Sequence, residues 1–262
     1  MKNNRMMWVL VTLVVLTTLA ITFGTRDSQS QEKTANRSLA TSTPYDKGYE
    51  DFSMYPVVDY NAPETTNAVE LEERKLKNQR YDNKGFVLTN PHPDDGGVAL
   101  DEEAPLPPAI PVAESNLIVI GKINDTKAVL SNDKSGIYSE YTFQISEVLK
   151  RDSSKKVDLG KAITIDRAGG SVRYPNGQKV IYRVSGKNLP RVGSEYVLFL
   201  TSDKESLHDK RSPNYEILTG YEFRDGKVNP LDTGRHFEGF EKTGVANFIN
   251  NIRNKIQTYS KQ

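Results

Sequence analysis

The stretch "IYSEYTFQISEVL" (residues 137–149) alternates cleanly: Tyr141, Phe143 and Ile145 fall on one face, and Thr142, Gln144 and Ser146 on the other. A period of two is the mark of a half-buried strand, because successive side chains of an extended chain point to opposite sides. On its N-terminal side "NLIVIGKI" (116–123) reads as a second strand. On its C-terminal side the same texture returns in "KAITID" (161–166), "QKVIYRV" (178–184), "EYVLFLT" (195–201), "YEILTGYEF" (215–223) and "GKVNP" (226–230). The joints "YPNGQ", "RVGSE" and "RDGK" are turn chemistry, with Gly where φ must be positive. Closely spaced short strands without intervening helical periods predict a mostly β domain over 116–240, a small antiparallel sandwich or barrel.

The strand pattern stops at "KTGVANFINNIRNKIQTYS", where Val245, Phe248, Ile249, Ile252, Ile256 and Tyr259 recur three and four apart. That spacing predicts one amphipathic helix within 241–262. Its polar face is mostly Asn, unlike the Lys/Arg-rich face of a membrane-surface helix, so the expectation is that it packs on the β domain.

Upstream the texture differs. Residues 26–115 hold 9 basic and 17 acidic side chains, whereas 116–262 hold 24 basic and 17 acidic, so a formal net charge of +1 hides an acidic and a basic half. The acidic part lacks a sustained hydrophobic period and ends in "EEAPLPPAIPVAES", whose prolines favour an extended spacer. It reads as a disordered tether, with one marginal helix in "AVELEERKLKNQR" supported by Glu70/Arg74 and Glu73/Lys77 pairs four apart. As a flexible coil it would span about 50 Å.

Residues 1–25 place Lys2 and Arg5 before an uncharged run from Met6 to Phe23. About 18 uncharged, mostly apolar residues are near the lower limit for spanning a bilayer, and the positive flank stays cytoplasmic. This is read as a signal anchor, or as a signal peptide if it is cleaved near Thr22 and Gly24; either way the remainder is extracytoplasmic. The chain has no cysteine, which removes disulfides, thiolate metal sites and lipoprotein acylation.

One run carries an enzyme-like signal. His92-Pro93-Asp94-Asp95 resembles the zinc-binding motif of the LmbE-like N-acetylglucosaminyl deacetylases, in which a His and an Asp bind zinc and the neighbouring Asp acts as base. Only these four residues match. Only "FVL" precedes them where that family has a buried strand, and His208 and His236 do not supply its paired spacing. A metal site needs three or four rigid ligands with an oriented second shell, so the run is read as linker and no metal or cofactor is expected. There is no Gly-x-Ser-x-Gly elbow, and "AGGSVRYPNG" lacks the Lys-Ser/Thr ending of a phosphate loop. Asp166 and Glu147 are read as solvated strand ends.

The order of segments resembles the netrin-like domain, an oligomer-binding (OB) type barrel found in tissue inhibitors of metalloproteinases, netrins and complement components, and exported bacterial proteins of similar pattern. The matching stretches are "SNLIVIGKI", "EYTFQISEVLKR", "KAITIDRAGG", "VGSEYVLFL", "RDGKV" and the terminal helix. The resemblance implies an OB-like barrel. The inhibitors reach a catalytic zinc through an N-terminal cysteine, and that role does not transfer to a chain without cysteine.

These features predict a non-catalytic, envelope-exposed interaction module for an anionic polymer or a protein partner; nucleic acid fits the pattern but not the export. The first candidate face is the ribbon 166–191, with six basic residues against one acid. In it Arg167, Arg173, Lys179 and Arg183 would meet anionic groups and Tyr174 would stack on a ring or sugar. The competing reading is a solvated hairpin with Tyr182, Val180 and Val184 in the core. A hydrolase whose active site is scattered in sequence is the functional alternative.

Overall fold

The computed structural model describes residues 55–63, 65–88, 99–102, 104–154, 156–202 and 215–261, all within one compact unit, Leu39–Gln262. The expected membrane segment, the first part of the tether, the His92–Asp95 run and His208 lie outside the described residues. No described helix is long and apolar enough to cross a membrane. In chain order the elements are β1 (Val57–Asp59), α1 (Ala68–Asn78), β2 (Ala99–Glu102), β3 (Leu117–Leu130), β4 (Ile137–Lys150), β5 (Ala162–Ala168) and β6 (Gly170–Arg173). There follow β7 (Lys179–Val184), β8 (Glu195–Ser202), β9 (Tyr215–Arg224), β10 (Lys227–Pro230) and α2 (Val245–Tyr259).

The protein is mostly β with a C-terminal helix, as the sequence predicts, and its strands form two mixed sheets, with parallel pairings β1–β6, β2–β7 and β5–β9 where a small, wholly antiparallel sandwich or barrel is expected. One sheet has the order β1-β6-β7-β2 and the other β10-β9-β5-β4-β3-β8, with an additional β8–β9 pairing. The β3–β4 hairpin is the longest pairing in the larger sheet, running from Ile118↔Lys150 to Leu130↔Ile137. The contact between β5 and β9 is parallel and short, Ile165↔Tyr215 and Asp166↔Glu216.

The continuous apolar runs have a physical reason. In β3, Leu117 and Val119 enter one core with Tyr141, Phe143 and Ile145, while Ile118 and Ile120 enter a second with Phe248 and Ile252. β8 divides likewise, Leu198 to the first and Phe199 to the second. Both strands are covered on two faces, so they show no polar alternation. The second cover is α2: Phe248 and Ile252 are buried, and the Phe248 ring lies 4.4 Å from that of Tyr221. Tyr259, expected on the buried stripe, is 45% exposed, with the Lys150 ammonium 5.0 Å over its ring.

The tether is the main correction. From residue 55 its described residues are folded onto the sheets, as a belt. β1 adds a parallel strand beside β6, and the Tyr60 N–H donates to Arg173 O (2.8 Å). Asn67 caps α1 by accepting from the N–H groups of Val69 and Glu70, so the helix forms here with the packing partner it lacks in isolation. After α1, Tyr81 stacks on Tyr138 with centroids 4.2 Å apart. The N–H groups of Phe86 and Val87 then donate to Ser135 O, and Val87 and Leu88 are buried. β2 pairs with β7, and the proline-rich stretch lies on the domain and turns at 109–114: Tyr221 donates to Ala109 O (2.6 Å) and the Lys150 ammonium to Val112 O (2.7 Å).

Gly136, at the end of the β3–β4 turn, shows how closely the belt approaches. A Cβ there would stand 2.2 Å from Tyr81 O, so only Gly lets the two backbones meet.

Candidate functional site

The basic ribbon divides when folded. Arg167 is 2% exposed and pairs with Asp232 inside the domain, so it does not meet a polymer at the surface. The cause is strand alternation: Arg167 follows Ile163 and Ile165 on the inward face of β5. Burial outweighs the attraction of Arg167 and pushes the Asp232 carboxyl above the usual carboxylate range. Tyr174 is also buried; its hydroxyl donates to Leu88 O (2.8 Å) and meets the Tyr182 hydroxyl (2.6 Å), while its ring stacks on Tyr60. It has no face left for a sugar. Tyr182, Val180 and Val184 are buried, as the hairpin reading expected. Arg173 is exposed and sits 3.5 Å from Asp59 of the belt. Lys179 and Arg183 are half-buried on β7, where Arg183 is in register with Asp101 of β2. The ribbon therefore packs against the belt, and its five named residues do not form one ligand face.

The densest constellation lies on the outer side of β4 and β5. Asp166, read from sequence as a solvated strand end, is fully buried. Its carboxylate takes Arg80 at 2.7 Å, Lys77 at 3.3 Å and the Tyr81 hydroxyl at 3.0 Å. Lys77 also pairs with Glu140, which Lys127 approaches from the other side at 2.8 Å. Burial works against the Glu140 charge, but Lys77 and Lys127 outweigh it and hold its carboxyl below the usual range. The Tyr138 hydroxyl donates to Asn78 Oδ1 at 2.6 Å, closing the junction. Glu147, the other carboxylate singled out, is a surface group paired with Arg253 of α2 at 2.6 Å.

Chemically this cluster has three carboxylates, with Asp166 in register with Glu140 across β4–β5 and with Glu216 across the β5–β9 contact. Burial and the neighbouring Asp166 raise the Glu216 carboxyl above its ordinary value. Two acids with unlike environments are the raw material of acid/base catalysis. Here Arg80, Lys77 and Tyr81 close over Asp166 and use its acceptors, so a substrate does not reach both groups. Among the described residues there is no group of three or more His, Asp or Glu placed to hold a metal ion. His236 lies against Pro107 O at 2.9 Å.

The sequence assigns no site role to Arg80, Tyr81 or Glu216, and it places Lys77 only in a helix pair with Glu73, whereas Lys77 pairs with Glu140 and Asp166. The available signal is the Lys77–Arg80 spacing of three, one helical turn, next to a Tyr, but the acidic partners Glu140 and Asp166 are 63 to 89 residues away and nothing local points to them. No family model matches this chain, and no curated protein matches it.

Proposed function

We propose that the chain is a non-catalytic interaction module held outside a cell membrane and built on an OB-like barrel of netrin-like type. Support for the barrel is the cyclic order of pairing, β3-β4-β5-β9-β8 and back to β3, with the helix α2 covering β3 and β8. The observation that carries the functional reading is the sealing of Asp166. Among the described residues, the densest meeting of carboxylates, bases and a Tyr fastens the belt, which supports recognition as the work of the domain. Barrels of this type bind ligands on the middle strands and on the turns beside them. In this chain α1 covers Glu140 and Asp166 on β4 and β5 and the belt covers the β3–β4 turn, so the face proposed for an anionic polymer or a protein partner is the rim beside that turn, where Lys75 and Lys127 are exposed.

The test is titration of the purified chain with heparin, teichoic acid, anionic liposomes and single-stranded DNA at low and moderate salt. Binding that weakens as salt rises, without turnover, supports the reading, because exposed charges are screened over about 8 Å at physiological ionic strength. A hydrolase is the second reading, favoured by the raised Glu216 carboxyl beside Asp166. Turnover of a glycan or ester that Glu216→Gln abolishes, with the fold intact, would put it first.

A further inference from the structure

Between β1, α1 and the β3–β4 turn lies a cavity of about 220 Å³. Its floor is apolar, with Val58, Leu71 and Val129 among the lining residues. Its charged lining is one-sided: Arg74, Lys75, Lys127 and Lys134 against the single acid Asp59. We infer that this cavity is a binding site for a small organic anion, a carboxylate or a phosphate monoester on an apolar body no larger than one ring. The inference rests on the reading of the domain as a recognition module and assigns it a site.

The availability of the cations distinguishes this cavity from the Asp166 cluster. Lys127 is 59% exposed and shares Glu140 with Lys77, so it can turn to a ligand without leaving that carboxylate unpaired. Lys75 is exposed, and its ammonium has no ion pair to a described residue. Arg74 is held by Glu70 at 2.7 Å in a pair whose members are 36% and 51% exposed, a geometry that contributes little and yields easily. Lys134 donates to Tyr60 O at 2.8 Å and stands 4.8 Å over the Tyr60 ring, which fixes its ammonium at the rim with two donors left. A body in the cavity excludes water from the apolar floor while the head group takes the lysines, and an anion is favoured because four cations of the lining face one acid, Asp59.

Size sets the class. Drug-sized ligands occupy about 300–1,000 Å³, and this cavity is smaller. A cavity of that size suits one ring or a short acyl chain. The walls come from both parts of the chain, Val58 and Leu71 from the belt and Val129 from β3, so occupancy holds the belt against the sheet.

The full chain is titrated by calorimetry with benzoate, phenyl phosphate, benzyl alcohol and inorganic phosphate. At least one aromatic anion is expected to bind about tenfold more tightly than the neutral alcohol and the bare phosphate, and preference between the two anions identifies the head group. Exposed ion pairs each contribute up to about fivefold, so Lys75→Gln with Lys127→Gln should weaken the anion about tenfold. Lys156→Gln, 86% exposed and outside the cavity, should leave it unchanged. Melting temperature checks the fold, and Lys75→Gln alone gives a variant that breaks no pair. Anions that bind no better than benzyl alcohol, or a folded double variant that binds like wild type, would overturn the site. Retained salt-sensitive heparin binding in that case would leave the module reading standing, whereas substrate turnover would remove the module reading itself.

Discussion

The two helices dock on the same β scaffold by different means. α2 inserts Phe248 and Ile252 into a core shared with Ile118, Ile120 and Phe199, and its outward face is solvated. In α1 two of the three larger apolar residues, Val69 and Leu76, are 57% and 61% exposed while Leu71 is half-buried, and the polar attachment is made by Lys77, Asn78, Arg80 and Tyr81 at and just beyond its C-terminal end. An apolar stripe needs only an apolar surface, so it is visible in the helix's own sequence. A charged attachment is specified jointly with Glu140 and Asp166 on distant strands and looks solvated until the partners are known.

The sharpest way to break the comparison is to remove the belt. A chain starting at residue 112 exposes the slots filled by Tyr81, Val87 and Leu88. At roughly 1.5–3 kcal/mol for each buried side chain, the expected loss is about 5 kcal/mol or more, read as a large fall in the denaturant midpoint. An unchanged midpoint would return the belt to the status of a tether. Next in size is the apolar attachment: Phe248→Ala should cost about 3–5 kcal/mol, while Asn251→Ala on the exposed face should stay within about 0.5 kcal/mol. Equal, negligible effects would mean that α2 is not part of the fold.

Gly136→Ala tests the belt without touching its charges. The new methyl group would overlap Tyr81 O, and overpacking of this kind costs about 1–3 kcal/mol. The expected signature is lost Tyr81–Tyr138 stacking in near-ultraviolet dichroism with the interior of the sheet retained.

The smallest effect is electrostatic. Burial and Asp166 raise the Glu216 carboxyl, so its charge destabilises the folded state at neutral pH. Folded Glu216 holds its proton to higher pH than unfolded Glu216, and the penalty therefore develops as pH rises above 4.5 and is absent below it. Glu216→Gln should raise the midpoint at pH 7 and not at pH 4. Glu140 has the opposite sign: its lowered carboxyl contributes stability above pH 4.5, which is lost as pH falls through its folded value.

Sequence revealed the elements whose burial is two-sided or strictly alternating. The strands at 137–149, 178–184, 195–201 and 215–223 lie within a residue or two of β4, β7, β8 and β9, and the terminal helix is where its stripe placed it. It missed β1, β2 and β6, which are three or four residues long and carry too few side chains for a period. The first strand reads to 123 in the sequence, where its apolar run ends at polar "NDTK", although β3 continues through register shifts to Leu130. For the site, composition along the ribbon was legible but direction was not. Arg167 and Arg173 look alike in the sequence, and the inward or outward sense of each strand separates a buried ion pair from a surface one.

Native-state hydrogen exchange tests the docked belt most directly. The amides of Phe86, Val87 and Leu88, bonded to Ser135 O and the Tyr182 hydroxyl, should be protected in the wild type alongside those of Val119 and Val197. In Arg80→Ala, which removes a 2.7 Å pair from buried Asp166, belt protection should fall by about 3 kcal/mol, the lower end for breaking a buried pair because Lys77 remains. Protection at Val119 and Val197 should fall less. Belt amides that exchange at unfolded-chain rates in the wild type, beside a protected sheet, would contradict the docking of residues 55–88 and with it the charge cluster that holds them.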